Sequence, residues 1–177
     1  MTSPFTTTPL YGGAITADIP TAWKDVSDIR QVPDHQEVYI GPGEDEPCFV
    51  TEILEHQTTV SDETAATYFF EDLVEANGST HTSFSSQTVS SPLSIFAGIG
   101  MQRMAKGRDR DVDGNPRPHQ QVVDAQIELC VVRMPQVQTD LLLTLSRTKS
   151  SSSDAQLSEE FRRVLSTLKI HDWGLFG

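Results

Sequence analysis

The stretch Val123-Asp-Ala-Gln-Ile-Glu-Leu-Cys-Val131, followed by Arg133-Met-Pro-Gln-Val-Gln-Thr-Asp-Leu-Leu-Leu-Thr-Leu145, predicts the β-hairpin on which the fold is built. From Val123 to Val131, every second residue is apolar, which is the period of a strand with one buried face. In the second part, Leu141, Leu143 and Leu145 share one face in the same way. The proline and the polar residues between the two parts interrupt the alternation. We therefore expect two antiparallel strands joined by a connection longer than a tight turn.

Two segments carry the period of amphipathic helices that would cover such a sheet. The first extends from residue 62 to 76, with acidic residues in its first turn and Asn77-Gly78 as its C-terminal signal. The second extends from about residue 154 to 169, where Ser153 and Gln156 are placed to form a capping box. Both helices need a sheet on which to bury their apolar faces.

Shorter apolar runs predict the remaining strands. The Gly12-Gly13 pair inside the first of them indicates a bulge or a close backbone approach. Because strands and helices do not alternate strictly, we expect an α+β fold with helices packed on a mostly antiparallel sheet. The predicted strands are residues 10–19, a strand that begins at Val38, and residues 48–54, 82–89 and 95–104.

The length and composition suit one globular domain. The chain has 177 residues, of which 37% are hydrophobic and 21% charged. We expect a single domain over residues 1–177, monomeric, with flexible segments at 1–9 and 106–119. No run has the roughly eighteen apolar residues of a membrane span, and the N-terminus lacks the order of a secretory signal. Cys48 and Cys130 predict reduced thiols in an intracellular compartment.

The negative charge is concentrated in the first half of the chain. The net charge is −12, and residues 18–77 hold fifteen acidic residues against two basic ones. Residues 78–177 hold ten acidic and eleven basic residues. A protein that binds nucleic acid needs a positive surface, so this distribution argues against nucleic acid as a partner. It favours a basic protein partner, with general solubility as the alternative.

Sequence patterns for enzymes, metals and nucleotides are incomplete. Residues 109–115 match the start of a calcium loop, but position 12 of that loop is Gln120 instead of a carboxylate, and prolines follow the glycine. We interpret this segment as an exposed connector between strands. Gly98-Ile-Gly100 lacks the third glycine of a dinucleotide fingerprint, and the histidines show no metal-ligand spacing. We therefore expect a binding protein without covalent catalysis, cofactor or metal.

The segment 25–40 combines four carboxylates and one arginine around Pro33. We expect Val26, Ile29 and Val38 to anchor it on the sheet while its charges face solvent. Two carboxylates three residues apart can act as an acid and base pair, but no nucleophile, metal or oxyanion hole accompanies them. Capping of the turn after Pro33 is the structural alternative for the aspartate. The carboxylates are Asp25, Asp28, Asp34 and Glu37.

Several motifs in one order carry a resemblance to a known family. Residues 10–16 (LYGGAIT), 25–30 (DVSDIR) and 32–38 (VPDHQEV) resemble the Ran guanine nucleotide release factor (Mog) family of nuclear import. The likeness continues through residues 70–73, 133–144 and 170–176, so that it covers nearly the whole chain, with departures between residues 79 and 121. The resemblance implies a mostly antiparallel β-sheet sandwiched between α-helices, a fold shared with the photosynthetic PsbP proteins.

The resemblance also implies a function and a binding surface. Proteins of this family bind the small GTPase Ran and promote release of its guanine nucleotide, particularly GTP. By this resemblance Ran is the partner, other Ran-binding proteins are further candidates, and the nucleus is the expected location, with the cytoplasm in addition. An acidic adaptor without nucleotide-release activity is the alternative. The residues expected to bind Ran are Asp34, Gln36 and Glu37 of the V-P-D-x-Q-E motif and the neighbouring Asp25, Asp28 and Arg30.

Overall fold

The structure, a computed structural model, describes residues 4–105, 122–149 and 156–177. Within these residues it contains two α-helices, α1 (Asp62–Ala76) and α2 (Glu159–Thr167). The strands are β1 (Phe5–Leu10), β2 (Ile15–Pro20), β3 (Lys24–Asp25), β4 (Gln36–Ile40), β5 (Cys48–Glu55), β6 (Thr80–Gln87), β7 (Ile95–Ala105), β8 (Val122–Met134), β9 (Thr139–Lys149) and β10 (Lys169–Ile170). No helix in the described ranges is long and apolar enough to cross a membrane.

The hairpin of β8 and β9 lies at the centre of a seven-stranded antiparallel sheet. The strand order is β3-β4-β5-β9-β8-β7-β6, and Cys130 lies opposite Leu143 in the register of the hairpin. A short 3-10 helix, Pro135–Val137, joins the two strands and is followed by Gln138 in the left-handed region with φ 52°. The antiparallel pairing and the longer connection predicted from the sequence are therefore confirmed.

The two faces of the large sheet carry two separate apolar cores. On β8, Ile127, Leu129 and Val131 pack in the core beneath α1. Cys130 and Val132 belong to the second core, which α2, β1 and β2 cover from the other side. Because both faces are covered, the central strand is apolar at consecutive positions. The structure is thus α+β, with the sheet between α1 on one face and α2 with a small sheet on the other.

Helix α1 begins and ends where the sequence predicts. Ala65, Phe69 and Phe70 are buried against the sheet. Gly100 on β7 makes this packing possible, since a Cβ built there would lie 2.5 Å from Cζ of Phe70. Because Gly98 and Gly100 have no side chains, aromatic rings can pack directly against the strand at these two positions.

Helix α2 begins later than predicted. Ser158 is its N-cap, and its hydroxyl oxygen accepts a hydrogen bond from the Phe161 N–H at 3.3 Å. The predicted start near residue 154 and the capping role of Gln156 are wrong, and Ser153 lies outside the described residues. The physical reason is a long-range contact, since the Ser158 hydroxyl donates to the buried carboxylate of Glu128 on β8 at 2.9 Å. The sheet, and not the local periodicity, sets where the helix starts.

The single strand predicted over residues 10–19 is instead a hairpin. Strands β1 and β2 pair in antiparallel fashion and join β10 in a three-stranded sheet. Tyr11, Gly12 and Gly13 have φ values of 50°, 67° and 93°. Three consecutive residues with positive φ reverse the chain, and glycine adopts such angles without steric cost. Residues 5–9, expected to be flexible, therefore lie in β1, while the segment 106–119 lies outside the described residues.

Candidate functional site

The segment 25–40, which we call the acidic edge, forms one edge of the large sheet. It leads from β3 through the 3-10 helix Val26–Asp28 and an exposed loop into β4. Asp25 is the N-cap of the 3-10 helix, and its Oδ1 accepts a hydrogen bond from the Ser27 N–H at 2.9 Å. This carboxylate, which is half-buried, therefore also fixes the direction in which the chain leaves the sheet.

Two of the three expected apolar anchors hold this segment in place. Val26 and Val38 are buried, whereas the side chain of Ile29 is 68% exposed. The expectation that Ile29 anchors the segment is therefore wrong. The 3-10 helix ends at Asp28, and Ile29 follows it at the start of the exposed loop. Ile29 is instead an exposed aliphatic side chain among carboxylates.

Asp34 is fully available to a partner. It is exposed and makes no hydrogen bond or ion pair with any residue that the structure describes. The turn after Pro33 is closed by the backbone, where the N–H of Gln36 donates to the carbonyl of Pro33 at 2.9 Å. Turn capping, the structural alternative for Asp34, is not observed. Asp28, also exposed, lies on the same edge.

Glu37 differs from Asp34 because it is half-buried and bonded. Its Oε1 accepts a hydrogen bond from the backbone N–H of Tyr11 at 2.7 Å. The hydroxyl of the same tyrosine donates to the carbonyl of His35 at 3.2 Å and lies 2.6 Å from the hydroxyl of Thr51. Burial raises the pKa of Glu37, the Tyr11 N–H opposes this effect, and the charge of Asp25 adds to it. The L-Y-G-G and V-P-D-x-Q-E motifs thus meet at this hydrogen bond.

Gln36 lies on the opposite face of β4 from Glu37, because side chains alternate along a strand. Its amide donates to Oε1 of Glu52 on β5 at 3.2 Å. The ring of His35 lies 3.4 Å from the same oxygen. The six predicted site residues are therefore all on one edge of the sheet, but they do not share one face.

Arg30 lies over an open groove on the Gln36 side of the sheet. Its Nη1 donates to its neighbour's carbonyl, that of Gln31, at 3.5 Å. Among the described residues, it forms no ion pair with Asp28 or Asp34. We call this feature the sheet groove, which has a volume of about 740 Å³. It is lined by Arg30, Pro33, Gln36, Val38, Cys48, Val50, Glu52, Leu73, Leu142 and Thr144.

A buried ionic network, which the sequence interpretation missed, lies at the end of the central hairpin. Nη1 of Arg133 on β8 donates to Oδ2 of Asp140 on β9 at 2.8 Å, and its Nε donates to Oδ1 of Asp62 at 3.1 Å. His56 Nδ1 lies 2.7 Å from the other oxygen of Asp140. Arg133 also donates to the carbonyls of Gln57 and Val60. The sequence did contain a signal for this network, since Arg133 and Asp140 are charged residues within apolar strands. A charged side chain that is buried needs a partner of opposite charge.

Within the described ranges, no three His, Cys, Asp or Glu residues are placed to hold a metal ion. The calcium-like segment 109–115 lies outside these ranges. Cys130 on β8 is buried and burial raises the pKa of its thiol, so this cysteine is poorly suited to act as a nucleophile. The site that the structure describes consists of an acidic edge with exposed carboxylates and the sheet groove beside it.

The α+β fold of the chain, with its large antiparallel sheet between helices, is also found among solved structures. The crystal structure of the Saccharomyces cerevisiae Ran-binding protein Mog1p matches with a TM-score of 0.75 and 23% sequence identity, covering 99% of this chain and 100% of that one. At 23% sequence identity, this structural match shows that the two proteins share a fold and shows nothing further.

The sequence belongs to the family described as Ran-interacting Mog1 protein, whose model matches residues 8–148. Relatives include the human "Ran guanine nucleotide release factor", 35% identical over 96% of this chain and 95% of the relative. The Saccharomyces cerevisiae "Nuclear import protein MOG1" is 30% identical over 85% of this chain and 70% of the relative. The family expected from the motifs is therefore confirmed.

Proposed function

We propose that this protein binds the small GTPase Ran and promotes release of its guanine nucleotide, particularly GTP, in support of nuclear protein import. The names of the relatives support the partner and the activity. The observation on which the site depends is the exposed, unpaired carboxylate of Asp34 at an acidic edge. Because it has no internal partner among the described residues, this carboxylate can pair with a cation on another protein, and complementary charges of this kind raise the association rate and the specificity.

The mechanism requires binding alone. If the protein binds nucleotide-free Ran more tightly than loaded Ran, it weakens the binding of nucleotide to Ran by the same factor. A thousandfold preference corresponds to about 4 kcal/mol of coupling free energy. The release factor then needs no nucleophile, metal or cofactor, and it acts as a monomer in the nucleus and cytoplasm.

Asp34 and Glu37 would contribute in different ways. Asp34 faces solvent from the loop and would contact basic groups of Ran near its nucleotide site, where it competes with the phosphates. Glu37 is held by the Tyr11 N–H, so its position is fixed before Ran arrives. Fixing a group before binding lowers the entropy lost when the complex forms. Asp25, Asp28, Arg30 and Gln36 would surround these two contacts.

The test measures release of a fluorescent guanine nucleotide from purified Ran. We expect the double substitution Asp34→Lys and Glu37→Lys to abolish both binding and accelerated release. The matched control is Glu63→Lys with Glu75→Lys, which makes the same charge change on exposed positions of α1. Full release activity in the Asp34 and Glu37 variant would refute the proposed site.

The same assay separates this function from an acidic adaptor. An adaptor would bind Ran or another protein through the same edge without changing the rate of nucleotide release. Binding to Ran without acceleration at saturating protein would therefore favour the adaptor.

A further inference from the structure

Exposed apolar surface coincides with the acidic edge. Within the described residues, four large hydrophobic residues are exposed, and Ile29 has the highest exposed fraction of the four. Ile40, the last residue of the acidic edge, is another of them. The remaining two, Tyr68 and Trp173, lie elsewhere in the chain. A single exposed apolar residue is common on protein surfaces, whereas here half of the set lies in one short segment with four carboxylates.

The backbone holds Ile29 in a fixed position. The N–H groups of Ile29 and Arg30 both donate to the carbonyl of Val26, at 2.9 and 3.0 Å. Val26 itself is buried, and Asp25 caps the start of the same 3-10 helix. The turn that carries Ile29 is therefore ordered before a partner arrives. An ordered backbone reduces the entropy that is lost when a complex forms.

Charged groups flank Ile29 along the chain. Asp28 and Arg30 are its exposed sequence neighbours, and the exposed Asp34 follows in the same loop. Ion pairs at an exposed surface contribute little free energy because water screens them. Complementary charge raises the rate of association more than it strengthens the complex. Carboxylates alone would therefore give fast but short-lived binding, whereas stable interfaces combine an apolar centre with a polar rim.

We propose that Ile29 is the apolar anchor of the acidic edge and packs into an apolar depression on Ran that is bordered by lysine or arginine side chains. The carboxylates of Asp28 and Asp34 would pair with those cations around it. Burial of Ile29 in the complex would slow dissociation, because contacts at the centre of an interface act mainly on the dissociation rate. This inference rests on the proposed binding of Ran and adds an apolar contact to its ionic ones.

The experiment measures the association and dissociation rate constants of the full chain with purified, nucleotide-free Ran. We expect Ile29→Ala to raise the dissociation rate constant about fivefold or more and to leave the association rate constant unchanged. Ile29→Val removes a single methylene and should lie between the wild type and Ile29→Ala. A graded response of this kind follows the apolar area that is buried in the complex.

Two further variants separate the anchor from the charges around it. Asp34→Asn should instead lower the association rate constant, and this effect should shrink at high salt, where charges are screened. The effect of Ile29→Ala should persist at high salt. Tyr68→Ala is the matched control, because it truncates an exposed apolar residue on α1 and should leave both rate constants unchanged. Circular dichroism checks that each variant is folded, and Ile29→Ala should keep its stability in urea because Ile29 is exposed.

The outcomes distinguish this inference from the proposed function. If the wild type binds Ran and Ile29→Ala dissociates at the wild-type rate, the anchor is refuted and the proposed function stands. An effect of Ile29→Ala that disappears at high salt, or an equal effect of Tyr68→Ala, would also refute the anchor alone. A wild type that does not bind Ran would refute the proposed function, and the anchor with it.

Discussion

The backbone N–H of Tyr11 donates a hydrogen bond to Oε1 of Glu37 over 2.7 Å and so joins the β1–β2 turn to strand β4. Glu37 therefore combines a structural contact with its expected role at the Ran surface. The substitution Glu37→Gln keeps an oxygen acceptor for the Tyr11 N–H, whereas Glu37→Ala removes it. We expect the alanine variant to lose about 1–3 kcal/mol in free energy of unfolding, because a partly buried N–H is left unpaired. Urea unfolding of both variants measures this loss.

The same two variants separate the charge of Glu37 from its structural contact. If the charge contacts Ran, both variants should bind Ran more weakly even though the glutamine variant keeps its stability. Asp34→Asn is the matched control, since Asp34 has no described partner and its loss should reduce Ran binding without affecting unfolding. A glutamine variant with wild-type affinity for Ran would show that Glu37 only positions the turn.

The free energy of unfolding should depend on pH through Glu128, whose carboxyl group bonds Ser158 at the start of α2. Burial raises the pKa of this carboxyl, while its hydrogen bonds from Ser158 and the nearby Arg147 oppose the rise. A group whose pKa is higher in the folded state favours folding when it is protonated, and this contribution is lost as pH rises through the raised pKa. The free energy of unfolding of the wild type, relative to Glu128→Gln, should therefore fall as the pH is raised from below to above 4.5, the ordinary pKa of a glutamate side chain.

Urea unfolding of both proteins across this range makes the comparison, and the difference between them removes the contribution of other carboxylates. One such carboxylate is Asp18, whose pKa is lowered chiefly by its hydrogen bond from Thr7, so that it acts in the opposite direction. A wild type that gains stability relative to the variant as pH rises would contradict this assignment.

The sequence predicted the elements whose pattern repeats over many residues. The apolar period of α1 runs over ten positions, from Ala65 to Val74, and the alternation in β8 runs over nine, from Val123 to Val131. A few polar exceptions do not obscure patterns of this length. The start of α2 could not be predicted, because Glu128 is thirty residues away from Ser158 in the chain. The reversal at Tyr11 was likewise hidden, since a glycine pair indicates either a bulge or a turn.

The sequence predicted which residues belong to the candidate site but not how they are arranged in space. The V-P-D-x-Q-E motif places Asp34 and Glu37 in one short segment. In the structure, Asp34 lies in the exposed loop that leads into β4, and Glu37 lies in β4 itself. The Tyr11–Glu37 hydrogen bond joins positions 26 residues apart, and no local pattern reports such a contact. The sheet groove depends on how far α1 extends across the sheet, which is a property of packing and not of the helix's own sequence.

The ionic network of Arg133 should contribute strongly to stability. Asp140 is fully buried and holds both Arg133 and His56. Asp140→Ala leaves the guanidinium buried without its main partner, and we expect a loss of about 3–5 kcal/mol. Asp124→Ala is the control, because the pair of Arg103 and Asp124 is exposed to solvent and its removal should cost much less stability. Equal losses in the two variants, measured by urea unfolding, would contradict this prediction.

The close approach of Phe70 to β7 predicts that Gly100 tolerates no side chain. A Cβ at this position would lie 2.5 Å from the Phe70 ring and 2.6 Å from the carbonyl oxygen of Ser83. We expect Gly100→Ala to lose about 1–3 kcal/mol in free energy of unfolding through overpacking. The double variant with Phe70→Leu tests the cause, because the smaller side chain relieves the contact with the ring. If crowding by Phe70 causes the loss, the double variant will lose less free energy of unfolding than the two single variants lose together. If the losses measured by urea unfolding are strictly additive, the cause lies in the strand backbone instead.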